Sequence, residues 1–151
     1  MQTPKGNVRR SRRVLIQLRY AVKTKDKFGE CFLFHGIARD SMNLRHTKHF
    51  FWIKRYGTGP KASIRMLCDC ENFTYVWEVA LAKKQSAVKF KSNGQRPVIT
   101  NPMMKCGCCK HLLQALRLTS KLVPTKQLKS VVRLPRTLSL TKLARSLPLL
   151  F

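Results

Sequence analysis

"RMLCDCENFTYVWEVAL", Arg65–Leu81, changes its periodicity in the middle, and that change decides the fold. Up to Cys68 the stretch continues a short run, Lys61–Cys68, that reads as a β-strand. After Cys70, Phe73, Val76, Trp77, Ala80 and Leu81 recur at the spacing of one helical face. Asp69 and Glu71 stand at the start of that helix and Lys83 and Lys84 near its end, each suited to the helix dipole. Between strand and helix sits Cys68-Asp69-Cys70, two thiols separated by one residue.

Working backward, Ile16, Leu18, Tyr20 and Val22 alternate with Leu15, Gln17, Arg19 and Ala21, a strand with one apolar face. "DKFGE" reads as a turn, and Cys31–Ala38 as a second strand. "RDSMNLRHTK" is a polar connection, and His49–Gly57 a third strand rich in aromatic and β-branched residues. "GTGP", Gly57–Pro60, is a turn leading into the fourth strand. Working forward, "KFKSNGQRPVITNPMM" is a loop. "CKHLLQALRLTSKL" is a second helix, with Leu112, Leu113, Leu116 and Leu118 facing inward, stopped by Pro124. The class expected is α+β: an antiparallel sheet of about four strands, two helices and a basic tail. Residues 1–13, with five basic residues, read as a flexible arm, 14–123 as the folded domain, and 124–151 as a partly ordered tail whose end could form a short amphipathic helix.

The thiols find partners further along. "KCGCCKH", Lys105–His111, follows Cys70 after a long gap, so the chain offers C-x-C, 38 residues, then C-x-H at Cys109 and His111. Three thiolates and one imidazole are a usual structural set for Zn²⁺. Cys109 and His111 directly precede an apolar helix and are therefore well fixed in space, which favours Cys68, Cys70, Cys109 and His111 as the shell. Cys68, Cys70, Cys106 and Cys108 form a rival shell. A closed set of four ligands leaves no position for an activated water, so the expected role of one Zn²⁺ is to hold the fold.

The pattern C-x-C…C-x-H, carried by "RMLCDCENFTYVWEVAL" and "VITNPMMKCGCCKHLLQAL", resembles the SWIM-type zinc finger, a β–β–α module. The wider layout, back to about Arg12, is similar to small uncharacterised bacteriophage proteins with a basic first strand, a CxC, an Asn-Pro loop and a "CKHLL" helix. The resemblance implies a virion-linked gene and binding to DNA or protein. The gap of 38 residues is longer than is usual for SWIM fingers, and Cys106 and Cys108 are thiols the pattern does not require.

Charge narrows the partners. The 151 residues carry 31 Lys and Arg against 6 Asp and Glu, a net +25. The last acid is Glu78, and fifteen basic residues follow it. Such an excess repels itself and fits a polyanionic partner. Candidate phosphate contacts are Arg9, Arg10, Arg12 and Arg13 in the arm, Lys48, Lys54, Arg55 and Lys61 around the third strand, and Lys83, Lys84, Lys89, Lys91 and Arg96 after the first helix. Phe50, Phe51, Trp52 and Tyr56 interleave with the second group, and those facing outward could stack on unpaired bases. The reading expects nucleic acid, DNA ahead of RNA, with little sequence preference. The alternative is a virion or assembly protein docking on a protein partner through residues 124–151.

Other chemistry has little support in the residues. Acids are too few for paired-carboxylate work, and Asp69 and Glu71 flank a presumed ligand, where capping or orienting it is the simpler role. His35 reads as a core or surface histidine, His46 and His49 as solvated edge residues, and Cys31 as a core thiol. No phosphate-binding Gly-rich loop is present, so neither an enzyme nor a small-molecule substrate is expected. No secretory signal or run of about 18 apolar residues is seen; with thiols in C-x-C pairs, the expectation is a reducing compartment, host cytoplasm or virion, without a membrane partner.

Overall fold

A computed structural model describes residues 5–40, 48–59, 61–122 and 132–133. Its elements in chain order are α1 (Lys5–Ser11), β1 (Val14–Asp26), β2 (Gly29–Asp40), β3 (His49–Tyr56), β4 (Ser63–Cys68), a π-helical turn (Phe73–Trp77), α2 (Glu78–Lys83), α3 (Lys110–Leu122) and the two-residue β5 (Val132–Arg133). The sheet is antiparallel in the order β4-β3-β2-β1-β5, so the four expected strands form a meander with β5 added against Tyr20 and Ala21. The rest of the segment 124–151, including the expected amphipathic helix, and His46 of the connection lie outside the described residues.

The first hairpin is longer than its apolar residues indicate. β1 and β2 pair from Val14↔Asp40 to Asp26↔Gly29, with Asp26 Oδ1 accepting the Phe28 N–H at 2.9 Å in the turn. Gly29 has φ +114°, a conformation glycine adopts without strain. The register slips between Leu18 and Tyr20. This bulge moves the buried positions of β1 from Ile16 and Leu18 to Ala21.

One sheet face carries the core. Val14, Ile16, Leu18, Phe34, Ala38, Phe51 and Ile53 are buried there, in one cluster with Phe73, Trp77 and Leu81 of the helical segment and Leu112 and Ala115 of α3. Two glycines allow these close contacts. A Cβ on Gly36 would lie 2.6 Å from the Gln17 carbonyl and 2.7 Å from the Phe51 ring. One on Gly107 would lie 2.6 Å from the Trp77 ring.

The helical stripe expected from Phe73 to Leu81 is buried as its spacing predicts, with Val76 only partly covered. Its first turn is wound wider than an α-helix: the Glu78 N–H bonds the Phe73 carbonyl, five residues back. In α3 the buried residues are His111, Leu112, Ala115 and Thr119, while Leu113, Leu116 and Leu118 are half-buried. The apolar residues alone place the stripe a little off, because the small residues Ala115 and Thr119 are buried in place of Leu113, Leu116 and Leu118.

The N-terminal segment read as a flexible arm is helical over Lys5–Ser11. Ser11 is fully buried; its Oγ donates to the Val8 carbonyl and accepts from Arg117 Nη1 of α3 at 2.9 Å. Asn7 Nδ2 reaches the Cys108 carbonyl at 3.4 Å. These anchors are single polar residues with partners about a hundred positions away, and no local pattern reveals them.

The loop between α2 and α3 is tied down by buried polar side chains. Glu78, fully buried, accepts the backbone N–H groups of Lys91 at 3.0 Å and Ser92 at 2.6 Å. Asn101 donates to the carbonyls of Val76 and Lys105 and accepts the Lys105 N–H. Ala87 pairs with Met66 in an isolated parallel bridge along the free edge of β4. Together these ties return the chain to the end of β4, where Cys109 is needed.

Candidate metal centre

Cys68 is the last residue of β4, and Cys70 lies in the bend before the helical segment. The carbonyl of Cys70 accepts the N–H groups of Phe73 and Thr74, so the bend that aims its sulfur also starts the helix. Cys109 immediately precedes α3, and its carbonyl accepts the Leu113 N–H. His111 lies in the first turn of α3, 5% exposed. One donor atom from each of Cys68, Cys70, Cys109 and His111 comes within 4.8 Å of all the others. All four residues are buried. The cluster can therefore hold one metal ion, and its Cys₃His composition is compatible with a zinc finger.

The electrostatics of the cluster suit a cation. Cys70 is pushed strongly toward thiolate, because the Cys109 and Cys68 side chains hydrogen-bond its sulfur and His111 lies beside it. Burial holds the Cys109 thiol well above its ordinary range, reinforced by the neighbouring Cys68 and Cys70 sulfurs. Three crowded sulfurs cannot all ionise without a positive charge among them. A divalent ion supplies that charge and would take the place of the shared protons. Cys68 Sγ and His111 Nδ1 are 4.0 Å apart, too long for a strong mutual hydrogen bond and short enough for two ligands of one ion.

The rival shell is not assembled. Among the described residues, the cluster includes neither Cys106 nor Cys108. Cys106 Sγ turns to the Ala80 carbonyl at 3.7 Å, and Cys108 is fully buried in the core. Gly107, between them in the chain, lies close against the Trp77 ring.

His49, expected at a solvated edge, is part of this region. Its ring stacks on His111 with centroids 4.5 Å apart, and its Nδ1 lies 3.2 Å from Asp69 Oδ1. The same carboxylate oxygen accepts the Phe50 N–H at 2.9 Å, and the Asp69 N–H returns to the Phe50 carbonyl. Asp69 thus locks the C-x-C bend to the start of β3 and positions a second imidazole over the first. The spacing of His49 to Asp69 carries no signal for this; only the pairing of β3 with β4 brings them together.

A cleft of about 610 Å³ opens beside the cluster. Arg10, Lys48 and Lys110 line it, and so do Asp40, Asp69 and Glu71. Lys110 Nζ is paired with Asp40 at 2.7 Å. The other expected phosphate contacts are spread out. Arg9 and Arg10 are exposed on α1, with Arg12 and Arg13 exposed just after it. Lys61, Lys83, Lys84, Lys89 and Lys91 are also exposed. Three candidates are already engaged: Lys54 pairs with Asp26 at 2.6 Å, Arg55 donates to the Gly59 carbonyl, and Arg96 donates to the Pro102 carbonyl.

No helix among the described residues is long and apolar enough to cross a membrane. Comparison of the chain with protein-family models, with curated proteins and with solved structures found no match.

Proposed function

We propose that this chain is a non-enzymatic zinc protein that binds nucleic acid, DNA ahead of RNA, mainly through phosphate contacts and with little sequence preference. The observation that carries the reading is the buried Cys₃His cluster within a chain of net charge +25. One Zn²⁺, four-coordinate through Cys68, Cys70, Cys109 and His111, would clamp the helical segment after Cys70 to the start of α3. Four protein ligands leave no open coordination position, which supports a structural ion rather than a catalytic one. The exposed cations Arg9, Arg10, Arg12, Arg13, Lys48, Lys61, Lys83, Lys84, Lys89 and Lys91 supply contacts that carry affinity without reading bases. The C-x-C…C-x-H order supports a SWIM-like module, and its resemblance to phage proteins supports an intracellular or virion setting.

The test is binding of zinc-loaded protein to DNA and RNA across a salt titration. Micromolar or tighter binding at physiological salt, falling steeply as salt rises, is the expected result. Weak binding that vanishes near physiological salt and is equal for every polyanion would overturn it.

A second reading, a virion or assembly protein, is favoured by one observation. Tyr75, Val98, Ile99 and Met103 are 68%, 68%, 90% and 72% exposed. The Asn101–Val76 hydrogen bond holds the loop of the last three beside the turn that carries Tyr75. Exposed apolar groups of this size suit a protein partner. Charge substitution at Ile99 that abolishes co-assembly while leaving nucleic-acid binding intact would select this reading.

A further inference from the structure

The sheet has a second face, turned away from α3, and it is largely apolar. Antiparallel sheets that meet water on one side carry polar residues there. Here the register sets three rows across β1, β2 and β3: Gln17, Ile37 and Phe50; Tyr20, His35 and Trp52; Val22, Leu33 and Lys54. In the middle row the rings cover one another, with Tyr20–His35 centroids 4.9 Å apart and His35–Trp52 4.6 Å.

This face is also dry. The helical elements packed on the sheet, α3 and the π-helical turn, belong to the core side. Yet Cys31 and Ile37, at outward positions of β2, are 2% and 3% exposed and stand outside the core cluster. Both ring nitrogens of His35 are shut off from water and have no partner among the described residues. An open sheet face does not keep its residues this dry. Leu15 and Phe50, exposed by 46% and 40%, leave apolar surface still to be covered on the same face.

We propose that residues 134–151 fold back over this second face and close it as an apolar layer. The point of departure is set by β5, where Arg133 pairs with Tyr20, so the segment begins at the sheet edge beside the middle row. Its composition fits the face. The connection 41–47 is mostly polar, whereas in 134–151 Leu140, Leu143, Ala144 and Leu147 are spaced as one side of a helix. Lys142 and Arg145 fall on the other side of that helix, and Pro148 stops the pattern. The reach fits as well. A helix over 138–147 would be about 15 Å long. Four strands span about 14 Å. Attraction between charges is not what holds the segment, because Asp26, an acid on this face, is already taken up by Lys54 at 2.6 Å and Tyr56 at 2.8 Å. A tethered segment meets its site at an effective concentration of about millimolar, which favours it over a second copy of the chain. The leucines of the tail are then engaged within the chain, and its cations face water.

The experiment uses full-length, zinc-loaded protein with a photo-crosslinking benzophenone side chain in place of Leu147. Irradiation should join it, within one chain, to peptides containing the outward residues of β1, β2 or β3. Crosslinks between two chains would mean that a second copy covers the face, and would overturn the proposal. Crosslinks to another surface, or none, would overturn it too. Tryptophan emission gives an independent reading. Burying one leucine side chain is worth about a factor of ten or more in the docking equilibrium, so Leu143→Asp with Leu147→Asp should raise the undocked population about a hundredfold or more. Emission should then shift to longer wavelength as Trp52 meets water, with zinc content unchanged. Trp52→Phe should abolish the shift, since Trp77 is buried against Gly107. Lys142→Asp, on the opposite side of the same helix, should leave emission as in the parent. Emission unchanged in the leucine pair, or shifted equally by Lys142→Asp, would refute the docking of the leucine side.

Discussion

Removing the metal should unfold the helical half of the domain. Take chelation of protein purified without added zinc, with Cys109→Ser as the genetic counterpart. The four donors are buried, and the segments that carry them hold Phe73, Trp77, Leu81, Leu112 and Ala115 in the core. Structural zinc sites bind with an apparent free energy of about 10–16 kcal/mol near neutral pH. Domains of ordinary size have about 5–15 kcal/mol in total. Loss of the ion therefore removes an amount comparable to the whole margin. Three buried sulfurs and an imidazole, left to share protons, recover little of it. The expected result is about one zinc per chain by elemental analysis, and loss of cooperative melting on chelation. Far-UV dichroism should fall more at helical than at sheet wavelengths, and Cys109→Ser should behave like the chelated parent without chelator. Protein that carries no metal as purified and melts identically with and without chelator would refute the reasoning.

Cys106→Ser should keep full zinc stoichiometry and lose little stability, because that sulfur meets only the Ala80 carbonyl; zinc loss in this variant would revive the rival shell. Gly107→Ala should destabilise by about 1–3 kcal/mol in denaturant unfolding, since its Cβ would lie 2.6 Å from the Trp77 ring. Glu78→Gln should cost about 2 kcal/mol, because an amide offers one oxygen where the carboxylate serves both the Lys91 and Ser92 N–H groups; an unchanged unfolding midpoint would contradict that role. Burial, helped by Arg19, holds His35 below its ordinary value of 6.5, so the folded state takes up its proton later than the unfolded state. Stability from this residue is then complete above the unfolded value and declines as pH falls from there toward the lowered folded value. The parent should lose more stability than His35→Phe over that window, and parallel pH profiles would dismiss the effect. Arg10→Ala and Lys48→Ala should each reduce the salt slope of nucleic-acid binding by about one.

How much was legible beforehand follows from the range of each interaction. The four strands, the switch from strand to helix after Cys70 and the inward helical stripe are periodic features, and periodicity survives in a linear chain. The choice of Cys109 and His111 over Cys106 and Cys108 was also within reach, because it depends on which pair adjoins an apolar helix. α1 was missed because its folding depends on Ser11 meeting Arg117 and Asn7 meeting the Cys108 carbonyl, contacts with no local trace. His49 was missed for the same reason.

By itself, then, the sequence determined the α+β class, the two ligand pairs and the surplus of positive charge, since each is a matter of composition or of spacing along one segment. Only the tertiary structure decided which face each aromatic residue occupies. The bulge between Leu18 and Tyr20 and the register of three strands turn Phe51 into core and align Tyr20, His35 and Trp52 outside. It also decided which cations are free, because ion pairs such as Lys54–Asp26 close only when β3 lies beside the first hairpin. Alternation says that two faces exist; a core must choose between them, and that choice is made by the elements that come to cover one.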